Sequence, residues 1–185
     1  MNLKPGIEVG IRLFQPSDQD RIRWLFARTP PWGRTYLAPQ PLPGDLEDIS
    51  ANYPTGCFVA TEVVENGEEA VVGLAAVATV TTAGEPELPR ALITGEPVAR
   101  LHWVSVAPER WRLGLGRRLT EAAIDWARKS GSRTLVLETS AQQAGAIALY
   151  EAMGFVERCR TMEGEYELVW FVLALAAADD VESRE

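Results

Sequence analysis

The sequence predicts a mixed α/β fold with a mostly antiparallel central sheet and helices on both of its faces. The chain reads in the order strand, helix, two strands, strand, helix, strand, helix, two strands. Paired strands are typical of antiparallel hairpins, whereas a strand, a helix and a strand in succession are typical of a parallel crossover. At 185 residues the chain has the length of one domain. We expect a single domain over residues 1–178 and an acidic, disordered tail over 179–185.

The first part of the chain predicts a strand and a helix, followed by an irregular segment. Residues 7–14 mix β-branched and apolar positions as strands do, and Ser17 or Asp18 can cap a helix that runs to Arg28. Residues 29–44 hold five prolines and two glycines. Because proline lacks the N–H that a helix or a sheet requires, we expect a long loop there.

A hairpin is predicted in the middle of the chain. Two valine-rich runs over residues 57–80 flank Asn66-Gly67, a dipeptide that suits the left-handed φ values of a tight turn. Gly73 interrupts the second run, which indicates a bulge or a close approach by another part of the chain. Residues 81–97 are rich in Pro, Gly, Glu and Thr and are expected to be a connection rather than a domain boundary.

The rest of the chain predicts alternating strands and helices. One long helix begins near residue 115 and ends at Ser130-Gly131. Four residues share its apolar face, namely Leu115, Leu119, Ala122 and Trp126. Two charged pairs lie on its other side, Arg117–Glu121 and Asp125–Lys129. The other predicted elements are strands over 99–107, 132–140, 155–162 and 166–176, and a short helix over 144–153 that is closed by Gly154.

The charge of the chain excludes one class of partner and indicates another. The net charge is −8, which argues against a nucleic-acid-binding protein, because such proteins present a basic face to phosphates. Residues 100–118 nevertheless hold five arginines against one acid, a local charge of +4. A compact anion site is therefore expected within an acidic protein, whose remaining charge favours the approach of a cationic co-substrate.

Residue counts bear on metals, redox chemistry and location. Cys57 and Cys159 are the only cysteines and His102 is the only histidine, so neither a disulfide framework nor a metal site is expected, and both thiols are expected to be buried. No apolar run is long enough to cross a membrane, and the N-terminus lacks the pattern of a secretory signal. The sequence therefore predicts a cytoplasmic protein with no membrane partner.

The segment ERWRLGLGRRLT, residues 109–120, places arginines at the beginning of the long helix. A helix begins with unpaired N–H groups and a partial positive charge, so arginines there oppose the helix dipole unless an anion binds. Gly114 and Gly116 let an anion approach the backbone, because glycine has no Cβ. The segment therefore predicts a phosphate-binding turn. The arginines that can add charge-assisted contacts are Arg110, Arg112, Arg117 and Arg118.

Three kinds of phosphate turn compete for this segment. The P-loop string G-x-x-x-x-G-K-[ST] does not occur in the sequence. The dinucleotide fingerprint G-x-G-x-x-G begins at Gly114 but has Leu119 at its last position, which is too large for the close packing that glycine permits. The third kind is the coenzyme A turn, Q/R-x-x-G-x-G/A, and the wider sequence favours it.

Two motifs in order resemble the GNAT N-acetyltransferase superfamily. The stretch VSVAPERWRLGLGRRLTEAAIDWAR resembles motif A of that family, a strand ending in an apolar-x-apolar-x-Pro phrase before the glycine turn and a long helix. Further along, AGAIALYEAMGF resembles the second hallmark, A-I-x-L-Y-x-x-x-G-F, with the strand LVLET in between. The resemblance covers residues 101–155 closely, and it implies a GNAT-like fold with acetyl-CoA as the co-substrate.

The resemblance also implies which residues bind the co-substrate. Main-chain groups of the strand before the turn, at Val104, Ser105 and Val106, would bind the acetyl and pantetheine groups. The remaining contacts would come from Trp111, Arg112, Leu113, Gly114, Leu115, Gly116, Arg117, Gln143 and Tyr150. The sequence departs from the family pattern at Trp111, where Gln or Arg is usual, at Arg112, where Gly is frequent, and at Gln143, where Asn is common. Because backbone amides make most of the diphosphate contacts in the family, binding is expected to persist.

Acetyl transfer to an amine requires a neutral amine, a polarised thioester carbonyl and a proton for the departing thiolate. Tyr150 matches the family tyrosine that often donates this proton, and a phenol, with an ordinary pKa near 10, is mostly protonated at neutral pH. The alternative is that Tyr150 only packs, in a stripe with Ala146, Leu149 and Met153.

The group that removes the amine proton is less clearly indicated. His102 can exchange a proton near neutral pH and shares strand parity with Val104, although a lone histidine on a strand is more often structural. Glu138 can accept a proton directly or through water, and the alternative is a pairing with a nearby arginine or a place on the surface. Ser105 is weaker still, because no histidine–acid pair is evident to activate it. A chain of waters is a further route.

These residues together predict an acetyl-CoA-dependent N-acetyltransferase, in which a primary amine attacks the thioester directly without a covalent enzyme intermediate. The alternatives are a non-catalytic acyl-CoA-binding or regulatory module of the same fold and a protein that binds a nicotinamide dinucleotide. The acceptor is expected to be a small-molecule amine or a protein or peptide amine. We expect the acceptor to bind against the 29–44 loop, which contributes Trp32, Arg34 and Tyr36 to one wall of the acceptor site. The alternative is that these residues only pack within the loop. A homodimer is compatible with the sequence.

Overall fold

Seven strands and four helices lie in the parts of the chain that the computed structural model describes, which are residues 9–28, 42–64, 67–81, 88–93 and 97–175. The strands are β1 (Val9–Leu13), β2 (Cys57–Val63), β3 (Glu69–Val80), β4 (Val98–Val106), β5 (Thr134–Ser140), β6 (Val156–Glu163) and β7 (Tyr166–Ala174). The helices are α1 (Gln19–Arg28), α2 (Ile49–Asn52), α3 (Leu115–Lys129) and α4 (Ala144–Ala152).

The strands form one sheet in the order β1, β2, β3, β4, β5, β7, β6. Pairing is antiparallel between β1 and β2, β2 and β3, β5 and β7, and β6 and β7, and parallel between β4 and β5. The parallel strands β4 and β5 are joined through α3, as a crossover requires. The predicted mixed, mostly antiparallel sheet is confirmed. The register of β4 on β5 extends over three residues, from Val98 to Arg100.

Contacts within the chain divide it into two compact units. The first unit holds residues 1–76 and 103–123, and the second holds residues 77–102 and 124–185. The assignment of residues 1–178 to a single domain stays a prediction, and the predicted tail over 179–185 lies outside the described residues.

In the first unit, Trp103 of β4 contacts both the helix α1 and the chain around α2. Its ring lies edge-on to Phe26 with 5.8 Å between the centroids. Its indole Nε1 donates to Oδ2 of Asp45 at 2.6 Å, and the Tyr53 hydroxyl donates to the same oxygen. α2 was not predicted from the sequence, because four residues are too few to show a helical period. Asp48 caps it by accepting from the N–H of Ala51 at 3.0 Å.

The start of α1 differs from the prediction that Ser17 or Asp18 caps it. Pro16–Asp18 forms a turn of 3₁₀ helix, and the buried Asp18 carboxylate accepts from Arg12 at 2.7 and 3.0 Å and from the N–H of Gln15 at 2.9 Å. Burial raises the pKa of Asp18, but the hydrogen bonds outweigh burial and the pKa is lowered overall. The carboxylate therefore links β1 to the turn before α1 instead of capping the helix.

The hairpin of β2 and β3 is confirmed, and so are both predictions for Gly73. Gly67 has a φ of 80°, as a tight turn requires. The register passes from Ala60 opposite Gly73 to Thr61 opposite Val71, so Val72 is an extra residue on β3. A Cβ on Gly73 would lie 3.0 Å from Cδ1 of Leu119 and 3.1 Å from the carbonyl oxygen of Ser105. Glycine therefore lets α3 and β4 approach β3 closely.

The long helix α3 is confirmed, but its predicted apolar face is wrong after Leu119. The buried residues continue at a spacing of four to Ala123 and Ala127, whereas Ala122 and Trp126 are half-buried. Ala123, Ile124 and Ala127 therefore form the second half of the buried face. Asp125 pairs with Arg128 at 3.3 Å and not with Lys129 as predicted. Gly131, with a φ of 79°, follows the end of the helix.

The two thiols differ, although both were predicted to be buried. Cys57 is buried, and burial together with the nearby Asp18 charge raises its pKa to about 12. Cys159 is half-buried because it lies on β6, at the edge of the sheet. None of the described helices is both long and apolar enough to cross a membrane.

Candidate functional site

The segment between β4 and α3 contains an exposed turn over residues 111–114. It follows Pro108–Arg110, a turn of 3₁₀ helix, and it ends where α3 begins at Leu115. Arg112 has a φ of 62° and Gly114 a φ of 79°. A left-handed conformation is uncommon for a residue with a side chain, so Arg112 is a point of backbone strain. This strain gives a physical reason why the related family often has glycine at the position of Arg112.

The beginning of α3 carries unpaired backbone donors. The N–H of Arg118 bonds to the carbonyl of Gly114 at 3.1 Å, so the N–H groups of Leu115, Gly116 and Arg117 precede the first bond of the helix. The first turn of α3 has no acidic residue to offset its partial positive charge. A Cβ on Gly114 would meet no heavy atom within 4 Å. The turn therefore offers both donors and open space to an anion.

Two of the four arginines expected to contact an anion are bound to the protein instead. Arg110 forms a two-point ion pair with Glu62, and Arg118 donates to the carbonyl of Val9 at 3.0 Å. Arg112 and Arg117 are exposed, and Arg117 lies 4.0 Å from Glu121. The sequence showed the excess of arginine around the turn, but Glu62 and Val9 are distant in sequence, and only the fold brings them to it.

Trp111 lies at the position where the family usually has Gln or Arg. Its side chain is 55% exposed, and its indole Nε1 donates to the carbonyl of Val106 at 2.7 Å. The tryptophan therefore makes a polar contact with the strand before the turn, and it leaves a large aromatic surface exposed beside the turn.

The end of β4 places its residues on two faces. His102, Val104 and Val106 alternate along the strand and are half-buried, whereas the Ser105 side chain between them is buried. Burial of Ser105 further weakens its candidacy for removing the amine proton. Its carbonyl lies at the close approach to Gly73.

In the second unit, Glu138 of β5 is paired with a buried arginine. Arg100 lies 2.8 Å from Oε1 of Glu138, and its guanidinium lies 5.4 Å from the centre of the Trp170 ring. Burial raises the pKa of Glu138, and the ion pair with Arg100 opposes this effect without cancelling it. The arginine pairing considered from the sequence is therefore present, and the raised pKa is also a property that suits a general base.

Tyr150 of α4 is buried among aromatic side chains. Its ring centroid lies 5.7 Å from that of Phe155 and 6.1 Å from that of Phe171. Burial, and to a lesser extent the charge of Glu138, raises the pKa of Tyr150. The phenol is thus held in the protonated form that a proton donor requires. Gln143, just before α4, accepts from the Thr139 hydroxyl at 2.7 Å.

The predicted site residues fall into two groups, one in each of the two compact units. The first unit holds Val104, Ser105 and Val106, the turn over 111–114 and the first residues of α3, 115–117. The second unit holds His102, Glu138, Gln143 and Tyr150. Trp32, Arg34 and Tyr36, the predicted wall of the acceptor site, lie outside the described residues.

Comparison with known proteins places the chain in a family. Residues 20–155 match the model of the Acetyltransferase (GNAT) family, so the chain belongs to that family. The resemblance noted in the two motifs is thereby confirmed, and the match extends well beyond them.

Curated relatives share parts of the chain. The [Ribosomal protein bS18]-alanine N-acetyltransferase of Escherichia coli strain K12 is 51% identical over 59 residues, which are 32% of this chain and 40% of that protein. N-acetyltransferase family 8 member 3 of Rattus norvegicus is 34% identical over 132 residues, which are 71% of this chain and 52% of that protein. The chain thus spans about half or less of the length of these relatives.

Solved structures with the same fold cover most of the chain. A chain of the NatC complex bound to Gag peptide and CoA has a TM-score of 0.72 and 16% identity, covering 91% of this chain and 99% of that one. A polyamine N-acetyltransferase of Drosophila melanogaster has a TM-score of 0.69 and 16% identity, covering 91% and 100%. At this identity the likeness shows the fold alone.

Replacing Arg112 with glycine tests the strain in the turn. Because glycine adopts positive φ without a Cβ penalty, R112G is expected to raise the free energy of unfolding by about 1 kcal/mol. The control is Leu113→Gly, at a neighbouring residue outside the left-handed region, which is expected to lower it by up to about 1 kcal/mol. Urea denaturation of both variants measures the difference, and a destabilised R112G would contradict the strain.

Proposed function

We propose that this protein transfers an acetyl group from acetyl-CoA to a primary amine, by direct attack of the amine and without a covalent enzyme intermediate. The observation that carries the proposal is the exposed turn before α3, in which two left-handed residues precede a run of unpaired N–H groups. Such a run of donors at a helix N-terminus binds phosphate groups. Membership of the GNAT family indicates that these phosphate groups are those of acetyl-CoA.

The residues of the turn fit the diphosphate of coenzyme A. Gly114 leaves the backbone accessible, the N–H groups of Leu115, Gly116 and Arg117 supply donors, and the exposed Arg112 and Arg117 side chains add positive charge. Acetyl-CoA supplies the acetyl group as an activated thioester. Main-chain groups of Val104 and Val106 are proposed to hold the acyl and pantetheine end, and one acceptor position of the Val106 carbonyl is already taken by Trp111.

Two side chains of the second unit have properties that match proton transfer. Tyr150 is proposed to donate the proton that the departing thiolate needs, because burial keeps its phenol protonated. Glu138 and His102 are the candidates to receive the amine proton, directly or through water. Burial favours Glu138 as a base by raising its pKa, and the ion pair with Arg100 fixes its position.

The acceptor class is supported by what related proteins are named for. One relative is named for acetylating an alanine of a ribosomal protein, and a structural neighbour is bound to a peptide. We propose a protein or peptide amine as the acceptor, and a small-molecule amine as the second candidate, because another neighbour acts on polyamines.

A ribosomal protein as a relative's substrate also supports the proposed cytoplasmic location. A homodimer stays a prediction.

The non-catalytic module and the dinucleotide-binding protein are less favoured. The curated relatives described above are named as enzymes of acetyl transfer, which argues against a module without turnover. Leu119, at the last position of the dinucleotide fingerprint, is fully buried against Gly73 of β3, which leaves no role for a glycine there.

Substitution at Gly114 tests the phosphate turn. Glu at this position adds a negative charge at the proposed anion site and a side chain at a φ of 79°, so G114E is expected to abolish coenzyme A binding in calorimetry. The control is Gly131→Glu, because Gly131 has the same φ and equally open surroundings at the other end of α3. G131E should bind coenzyme A as the wild type does. Unchanged affinity in G114E would refute the site.

Removal of one hydroxyl tests the proton donor. Y150F is expected to lower kcat by about a hundredfold while the coenzyme A Kd is retained, because general acid catalysis contributes at least that factor. Thiol release from acetyl-CoA and calorimetry measure the two quantities. An unaltered kcat would assign Tyr150 to packing against Phe155 and Phe171 alone.

The pH dependence of kcat/KM separates the two candidate bases. A base acts in its deprotonated form, so the rate falls as the pH falls through its pKa, and for Glu138 this limb lies above the ordinary carboxylate range. We expect E138Q to lose the acidic limb and H102A to keep it. The reverse result would assign the role to His102, and a limb that persists in both variants would contradict both assignments.

A further inference from the structure

Arg110, the last residue before the exposed turn, is clamped by a carboxylate from another strand. Its Nε donates to Oε2 of Glu62 at 2.7 Å, and a terminal nitrogen donates to Oε1 at 2.8 Å. The Glu62 side chain is 7% exposed and that of Arg110 26%. A two-point contact between a guanidinium and a carboxylate fixes direction as well as distance. Glu62 lies on β2 and shares the first unit with Arg110.

The turn beyond Arg110 needs such a constraint. Trp111, Arg112 and Gly114 are exposed, and the left-handed backbone at Arg112 is energetically unfavourable. A conformation of this kind persists only where its surroundings over-determine it. The far side of the turn is held by Arg118, which donates to the carbonyl of Val9. The near side is held by the ion pair between Arg110 and Glu62.

We propose that Glu62 is a positioning residue for the diphosphate-binding turn. It acts through Arg110: the ion pair fixes the residue at which the turn begins, so that the N–H groups at the start of α3 converge on one anion. Glu62 itself does not contact the co-substrate. This inference rests on the proposed function, since it concerns the turn to which coenzyme A binding is assigned.

If Glu62 acts only through its charge, neutralising it changes the affinity for coenzyme A in one direction; if it positions the turn, the change has the opposite sign. Coenzyme A is an anion, so if the charge of Glu62 were all that mattered, neutralising it would strengthen binding and release Arg110 to reach a phosphate. If Glu62 positions the turn, neutralising it weakens binding although a repulsive charge has been removed. The sign of the change in affinity therefore decides between the two effects.

The test uses two variants of Glu62 and one control. E62Q removes the charge and keeps the shape, whereas E62D keeps the charge and shortens the reach. We expect both to weaken coenzyme A binding and to raise the KM for acetyl-CoA by about tenfold, the worth of one charge-assisted hydrogen bond. The kcat and the KM for the amine should be unchanged. The control is Asp18→Asn, which breaks another buried carboxylate–arginine pair of the same unit, Asp18–Arg12.

Each outcome bears on the proposal. D18N should lower stability while the coenzyme A Kd is retained, and an equal loss of affinity in D18N would overturn the positioning role by showing a general effect of destabilisation. Unchanged or tighter binding in E62Q or E62D would also overturn it. E62D keeps the test decisive if E62Q does not fold. Failure of the wild type to bind coenzyme A would instead overturn the proposed function, before any variant is compared.

Discussion

The structure depends on one constraint at the junction of β4 and α3, where the chain must turn in four residues and leave the first N–H groups of the helix without backbone partners. Left-handed φ values at Arg112 and Gly114 accomplish this turn. Contacts on both sides of the turn stabilise the strained backbone of Arg112. On one side Arg110 donates to Glu62, and on the other Arg118 donates to the carbonyl of Val9. The bulge at Val72 contributes as well, because the Val72 carbonyl accepts from the N–H of Ala107 at 2.9 Å, just before the turn.

The arginines around the turn do not all contribute positive charge to a shared anion site. The chain has a net charge of −8 and concentrates positive charge near the turn. Arg110 and Arg118 are bound within the protein, so the proposed anion site depends mainly on backbone donors and on Arg112 and Arg117. Backbone donors are held by the fold and lose little freedom when a ligand binds, which favours affinity. The other arginines instead hold the backbone in place.

Much of the fold could be predicted from the sequence, because the informative signals were local. The hairpin followed from Asn66-Gly67, the close approach from Gly73 within a strand, and the open turn before α3 from Gly114. Long-range contacts could not be predicted. Asp18 was expected to cap α1 from its position alone, but Arg12 of the preceding strand binds it. The buried face of α3 was misjudged because the large Trp126 side chain was placed on it, whereas Ala123, Ile124 and Ala127 are the buried residues.

Backbone N–H groups at the start of α3 are proposed to bind the diphosphate of coenzyme A, and nuclear magnetic resonance observes these groups one by one. The labelled protein is titrated with coenzyme A and, separately, with pantetheine, which lacks the diphosphate. We expect coenzyme A to shift the amide signals of Gly114, Leu115, Gly116 and Arg117, and pantetheine to leave them in place. Saturable binding of coenzyme A with these four signals unmoved would contradict this proposal.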